Sequence, residues 1–247
     1  MKQIHRNKLL AVMELKWRAL CSKNFILMPV FAIGFTFLMK LLYSTLADGG
    51  LTEGARAAAL NSGVLMNISM TGIYGVCGAL AEEKEKHTLR VLMTSSVNGL
   101  EFFLGSVIPV MGMLVAVNGI LVAVAGAHMS AAQWGVYLLV SLLSAVASTV
   151  IGMIFGIFSK SQINASTVTL PAILVFMLIP TLADFSEVLK RISDFLFTGI
   201  MQNVITVIVK GEGTPFGITE VLIIVAETVL ALVCFLVAYK KNGYDPD

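Results

Sequence analysis

The sequence predicts an all-α integral membrane protein with six transmembrane helices. Hydrophobic residues make up 57% of its 247 residues and charged residues only 13%, while the mean hydropathy is +0.88. Soluble domains carry about 25% charged residues, so this much apolar surface is expected to face lipid. A net charge of +2 supplies no strongly basic surface, and nucleic acid is not expected as a partner.

Six apolar segments have about the length that crosses a bilayer, which is roughly 20 residues for a helix. Their approximate limits are Phe25–Leu46, Ala59–Ala81, Phe102–Gly126, Trp134–Phe158, Ala165–Ala183 and Ile218–Tyr239. We interpret residues 25–247 as one transmembrane domain that contains all six.

Residues 1–24 are predicted to form an amphipathic helix before the first span. Leu10, Met13, Trp17 and Leu20 share one helical face, and basic residues occupy the rest. The segment is too long and too charged for the start of a cleaved signal peptide. An ordinary packed helix would have the same periodicity, but the Trp, the basic residues and the adjoining span favour a helix lying in the membrane interface.

The distribution of Lys and Arg predicts the orientation of the chain. Twelve lie in segments on the side of the N-terminus and four in segments on the opposite side, with Lys40 inside the first span. Because cytoplasmic segments are enriched in basic residues, both termini are expected in the cytoplasm.

The outer segment 184–217, between the fifth and sixth spans, is unusually apolar. Phe195–Val209 is too short for a further span and is interrupted by Gly199 and Gln202. Re-entrant helices before the sixth span are favoured over a plain outer loop, because so apolar a stretch fits poorly in water.

The cytoplasmic segment 82–98 follows the second span and combines a dense charge cluster with an apolar stripe. The cluster runs from Glu82 to Lys86, and the stripe comprises Leu89, Leu92, Met93 and Val97. A helix resting on lipid headgroups and a helix docked on a partner protein would both fit this pattern.

This stretch resembles the signature of type-two ABC exporter permeases, Glu-x-Glu-x-Gly-Thr-Leu-x-x-Leu-Leu-x-Thr-Pro. The matching positions are Glu83, Glu85, Thr88, Leu89 and Leu92, with conservative replacements at Met93 and Ser95. His87 stands where the family usually has Gly, and Ser96 where it often has Pro. The number of spans and the N-terminal helix are similar to the family's architecture as well.

The resemblance implies a transport subunit of the bacterial plasma membrane rather than an enzyme. Its coupling helix would seat Glu83, Glu85, Thr88, Leu89, Leu92, Met93 and Val97 against a cytoplasmic ATPase. Two ATPase copies and a second permease, identical or related, would complete the complex. No phosphate-loop motif occurs in this sequence, so ATP and magnesium are expected on the partner and no cofactor on this chain. The apolar spans favour export of a hydrophobic or amphipathic peptide, lipid or antibiotic.

Lys40 and Glu227 are ionisable residues well inside predicted spans, where a charge costs about 2.5–3.5 kcal/mol on insertion scales. They could line a translocation path or form a buried pair; alternatively, Glu227 could be protonated and Lys40 could extend outward. An ion-coupled carrier or channel that uses both residues is therefore a competing function, as is a peptide-immunity or receptor protein that transports nothing.

No catalytic or metal-binding constellation is predicted. His5, His87 and His128 belong to different segments, and His128 lies across the membrane from the other two. Three scattered cysteines indicate neither a disulfide framework nor a metal site.

Overall fold

A computed structural model of the chain describes residues 5–46, 50–88, 98–211 and 216–242. Within these ranges the regular structure is helical, which confirms the predicted all-α class. The helices are α1 (Arg6–Leu20), α2 (Lys23–Leu46), α3 (Glu53–Glu85), α4 (Gly99–Ala125), α5 (Ala131–Phe158), α6 (Gln162–Thr181), α7 (Glu187–Asp194), α8 (Phe197–Lys210) and α9 (Ile218–Asn242).

Six of these helices are long and apolar enough to cross a membrane, as predicted: α2, α3, α4, α5, α6 and α9. The largest difference from the predicted limits is in α3, which extends beyond its apolar segment at both ends. Its first turn is capped by the Thr52 hydroxyl, which accepts a hydrogen bond from the N–H of Ala55. The helix therefore continues into polar residues at both ends, and hydropathy detects only the apolar segment between them.

Helix α3 is the centre of the bundle. In its most apolar window 83% of the residues are buried, compared with 17% in α9. Its middle, Asn67–Tyr74, is π-helical, and the Ser148 hydroxyl of α5 donates to the Ile68 carbonyl at 2.6 Å. Gly72 allows this approach, because a Cβ there would lie 1.9 Å from the Ser148 oxygen. The small residues of α3 thus permit the close helix packing typical of membrane proteins.

Helix α1 packs along α4 through a face that shares only Leu20 with the apolar stripe predicted for the membrane interface. Val12, Lys16 and Leu20 are buried, whereas Leu10 and Trp17 of the predicted stripe remain exposed. The residues that face the bundle are spaced i, i+4, i+8 and include Lys16. A search for apolar residues does not detect this face, because a lysine stands in its middle. The exposed Leu10 and Trp17 leave an apolar face on the side of α1 away from the bundle.

Helices α7 and α8 are bent by 100° relative to each other, the geometry of a broken span or a re-entrant hairpin. The α8 N-terminus lies beside Glu227, about two and a half turns into α9. The C-terminal end of α8 lies at the start of α5, where the Gln133 side-chain amide donates to the Ile208 carbonyl at 3.5 Å. Because α8 leads back to the end of the bundle where α5 and α9 begin, the hairpin geometry is favoured.

Candidate functional site

The charge cluster at the end of α3 is bound to neighbouring elements on several sides. The carboxylate of Glu82 pairs with the ammonium of Lys86 one turn later, at the exposed edge. The three residues between them, Glu83, Lys84 and Glu85, each contact a different element of the fold. We call these five residues the α3 cluster.

Glu83 forms a buried ion pair with α1. Its carboxylate lies 2.6 Å from the Lys16 ammonium, and the two side chains are only 12% and 4% exposed. The Lys16 ammonium also lies 4.5 Å from the centre of the Phe102 ring at the start of α4. Burial lowers the pKa of Lys16, while the Glu83 carboxylate opposes that shift. The pair therefore ties α1, α3 and α4 together at one point.

Lys84 and Glu85 bind the two helix ends on either side of the α5–α6 loop. The Lys84 ammonium donates to the carbonyls of Gly156 and Ile157 at 2.9 and 2.7 Å, at the end of α5. The Glu85 carboxylate accepts from the N–H of Gln162 at 3.0 Å, at the start of α6. A cation at a helix C-terminus and an anion at a helix N-terminus both satisfy unpaired backbone groups and the helix dipole. The charge order of the cluster thus fits the ends of the two helices.

The chain that returns from segment 89–97 is also anchored on α1. Asn98 and Glu101 form a capping box at the start of α4, with hydrogen bonds of 2.8 and 2.9 Å. The fully buried Glu101 carboxylate also accepts from the N–H of His5 at 2.7 Å, directly before α1. Both ends of segment 89–97 are therefore fixed to the same helix, α1.

Sequence reasoning missed Lys16 and Glu101. The Asn98-x-x-Glu101 spacing was a readable capping-box signal. Lys16 had no local signal, because its partner is 67 residues away in the chain.

The remaining predicted coupling residues fall at or beyond the end of α3. Thr88 donates its hydroxyl proton to the Glu83 carbonyl at 3.2 Å. Leu89, Leu92, Met93 and Val97 lie outside the described residues. His87 has a φ of +57°, in the left-handed region that glycine adopts most readily. The family's usual glycine therefore suits the backbone conformation that His87 adopts here.

Lys40 and Glu227 contact different partners. The Lys40 ammonium donates to the Val124 carbonyl at 2.9 Å, at the C-terminal end of α4. The Glu227 carboxylate accepts from the N–H of Phe197 at 2.7 Å, the first residue of α8. The structure thus does not join the two residues as a pair; each is placed at a helix end whose dipole suits its charge.

Among residues 5–46, 50–88, 98–211 and 216–242, no group of His, Cys, Asp and Glu has an arrangement that could hold a metal ion. The site consists of ion pairs and helix caps, which position chain segments rather than perform bond chemistry.

No curated protein matches the chain. A family model described as ABC-2 family transporter protein matches residues 44–240, which begin at the last three residues of α2 and run through α3 to α8 and nearly all of α9. The chain therefore belongs to the ABC-2 transporter family and is a membrane permease component of an ABC transporter.

Proposed function

We propose that this chain exports a hydrophobic or amphipathic molecule, driven by a separate cytoplasmic ATPase that docks on segment 89–97. The observation that carries the proposal is the anchoring of both ends of that segment. Its entry is held through Glu83 to Lys16, and its exit through Glu101 to the backbone of His5. A docked partner that pulled on segment 89–97 would therefore move α1 with it.

The same attachment extends to the rest of the bundle. Lys84 binds the end of α5 and Glu85 the start of α6, so a displacement of the α3 end is transmitted to two further spans. The Lys16–Glu83 pair is the stiffest of these links, because breaking it leaves a charged group unpaired away from water. The α3 cluster accordingly acts in our proposal as a joint that transmits motion, while the apolar stripe of segment 89–97 contacts the ATPase.

The complex proposed here contains two permease subunits, identical or related, and two ATPase subunits. ATP and magnesium bind to the ATPase, since this sequence has no phosphate-loop motif. The excess of Lys and Arg at the end that carries the α3 cluster supports cytoplasmic termini. The family resemblance supports a place in the bacterial plasma membrane. The ion-coupled carrier loses support, because Lys40 and Glu227 already bind helix ends.

The test is the doubly substituted chain Leu89→Ala, Leu92→Ala, expressed with its natural partners and purified through an affinity tag. Each buried leucine side chain contributes about 1.5–3 kcal/mol, so the pair of changes is expected to remove most ATPase from the purified complex. Insertion in the membrane should be unaffected, since neither residue belongs to a span. ATP hydrolysis stimulated by the transported molecule should be lost.

Lys86→Ala is the matched control in the same region. Lys86 pairs with Glu82 at the exposed edge, and exposed ion pairs contribute about 0–1 kcal/mol. The ATPase should therefore remain bound to this variant. Normal assembly and transport by the double alanine variant would reject docking through the apolar stripe.

A further inference from the structure

A cavity of about 280 Å³ opens between α3 and α8, at the end of the bundle away from the α3 cluster. Its wall includes Tyr43 of α2, Ala58 and Asn61 of α3, and Gln202 and Thr206 of α8. Small residues on α3 leave the space, and the re-entrant hairpin closes one side. We call this the α3/α8 cavity.

Two buried acceptors in its wall have no hydrogen-bond partner. They are the side-chain oxygens of Asn61 and Gln202. Asn61 is only 8% exposed, so its oxygen has little access to bulk water. A buried polar atom without a partner costs about 1–3 kcal/mol, so a donor that reached either oxygen would be stabilised there.

The surrounding hydrogen bonds determine which way the Asn61 amide points. The Thr206 hydroxyl donates its single proton to the main-chain carbonyl of Gln202 at 2.8 Å, so it can only accept from Asn61. The Asn61 amide nitrogen donates to that hydroxyl at 2.9 Å. The Asn61 oxygen is consequently the acceptor that has no donor.

We propose that the α3/α8 cavity binds a primary ammonium group carried on an apolar chain. This ligand class deepens the proposed export function and rests on it. An ammonium has three N–H donors and no acceptor, which suits the amide oxygens of Asn61 and Gln202. The Asp184 carboxylate in the cavity wall adds a favourable charge and the Lys210 ammonium an unfavourable one, and both residues are exposed. Small-molecule pockets span roughly 300–1,000 Å³, so this cavity has room for a headgroup rather than a whole peptide.

The test measures protection of one cysteine in the full-length chain in lipid nanodiscs. Ala58→Cys is placed in the cavity wall, and Cys21, Cys77 and Cys234 are replaced by alanine. A membrane-impermeant maleimide labels position 58, and the probe is n-hexylammonium. The comparator is hexyltrimethylammonium, which has the same charge and chain but no N–H donor. Asn203→Cys, next to Gln202 on the exposed side of α8, is the control position.

We expect n-hexylammonium to slow labelling at position 58 and not at position 203. Asn61→Leu should weaken its apparent affinity about tenfold, since a hydrogen bond to a charged group is lost. Asn61→Asp has nearly the same shape, retains the acceptor and should bind at least as well as the parent. Lys210→Met should not weaken binding, because it removes a like charge.

Absence of protection by n-hexylammonium would overturn the proposal. So would equal protection by the trimethyl compound, or protection that Asn61→Leu leaves unchanged. The assay requires no ATPase, so its outcome is independent of docking on segment 89–97. If the chain showed this protection but bound no ATPase, the export function would be rejected while the ammonium site would still be supported.

Discussion

The buried pair Lys16–Glu83 gives a quantitative test of how α1 is attached to the bundle. The two charged atoms are 2.6 Å apart, and Lys16 is the more deeply buried partner at 4% exposure. Removing one member of a buried pair strands the other charge and typically costs about 3–5 kcal/mol. Replacing both members by apolar residues of similar volume is often close to neutral.

Glu83→Gln is expected to lower the free energy of unfolding by about 3 kcal/mol, at the low end of that range. The pKa of Lys16, already lowered by burial, falls further without the carboxylate, and loss of the proton limits the cost. Lys16→Met should cost somewhat less, because the Glu83 carboxylate is nearer to water. The double variant Lys16→Met, Glu83→Leu should return to within about 1 kcal/mol of the parent chain.

The exposed pair Glu14–Arg18 on the same helix is the matched control. Its side chains are 65% and 78% exposed, so the same double-mutant cycle should give an interaction of about 0–1 kcal/mol. Stability is measured by reversible unfolding in mixed micelles, and trypsin cleavage at Arg6 reports detachment of α1. Additive losses in the Lys16–Glu83 cycle would refute the assignment of this pair as the attachment point.

Two further predictions concern His87 and Glu227. His87→Gly should raise the free energy of unfolding by about 1 kcal/mol, because glycine adopts the φ of +57° without strain, whereas His87→Val should lower it. The same micelle unfolding measures both variants, and equal stability of the Gly and Val chains would argue against a strained residue. Glu227→Gln should stay within about 1 kcal/mol of the parent, since an amide oxygen still accepts from the N–H of Phe197. Glu227→Leu leaves that N–H without an acceptor and should cost about 2 kcal/mol in the same assay. If the Gln variant were as unstable as the Leu variant, the negative charge of Glu227, and not only its ability to accept a hydrogen bond, would be required.

Hydropathy predicted the spans well because lipid imposes a simple requirement. A helix that crosses about 30 Å of hydrocarbon needs a long run of apolar residues, and such runs stand out locally in the chain. A re-entrant segment before the last span was expected from a run too short to cross and too apolar for water, and the structure has a 100° bend within it. The limits of α3 were less accurate, because its polar ends continue the helix without an apolar signal.

The sequence by itself determined the six spans, the charge cluster after the second span and the resemblance to ABC permeases, which the family match confirms. Only the tertiary structure decided what the charges contact. The Lys16–Glu83 ion pair joins residues 67 positions apart, and Lys40 reaches a carbonyl 84 positions away. Periodicity reports which residues share a face of one helix, not which helix that face meets, since the latter depends on how all the helices pack together.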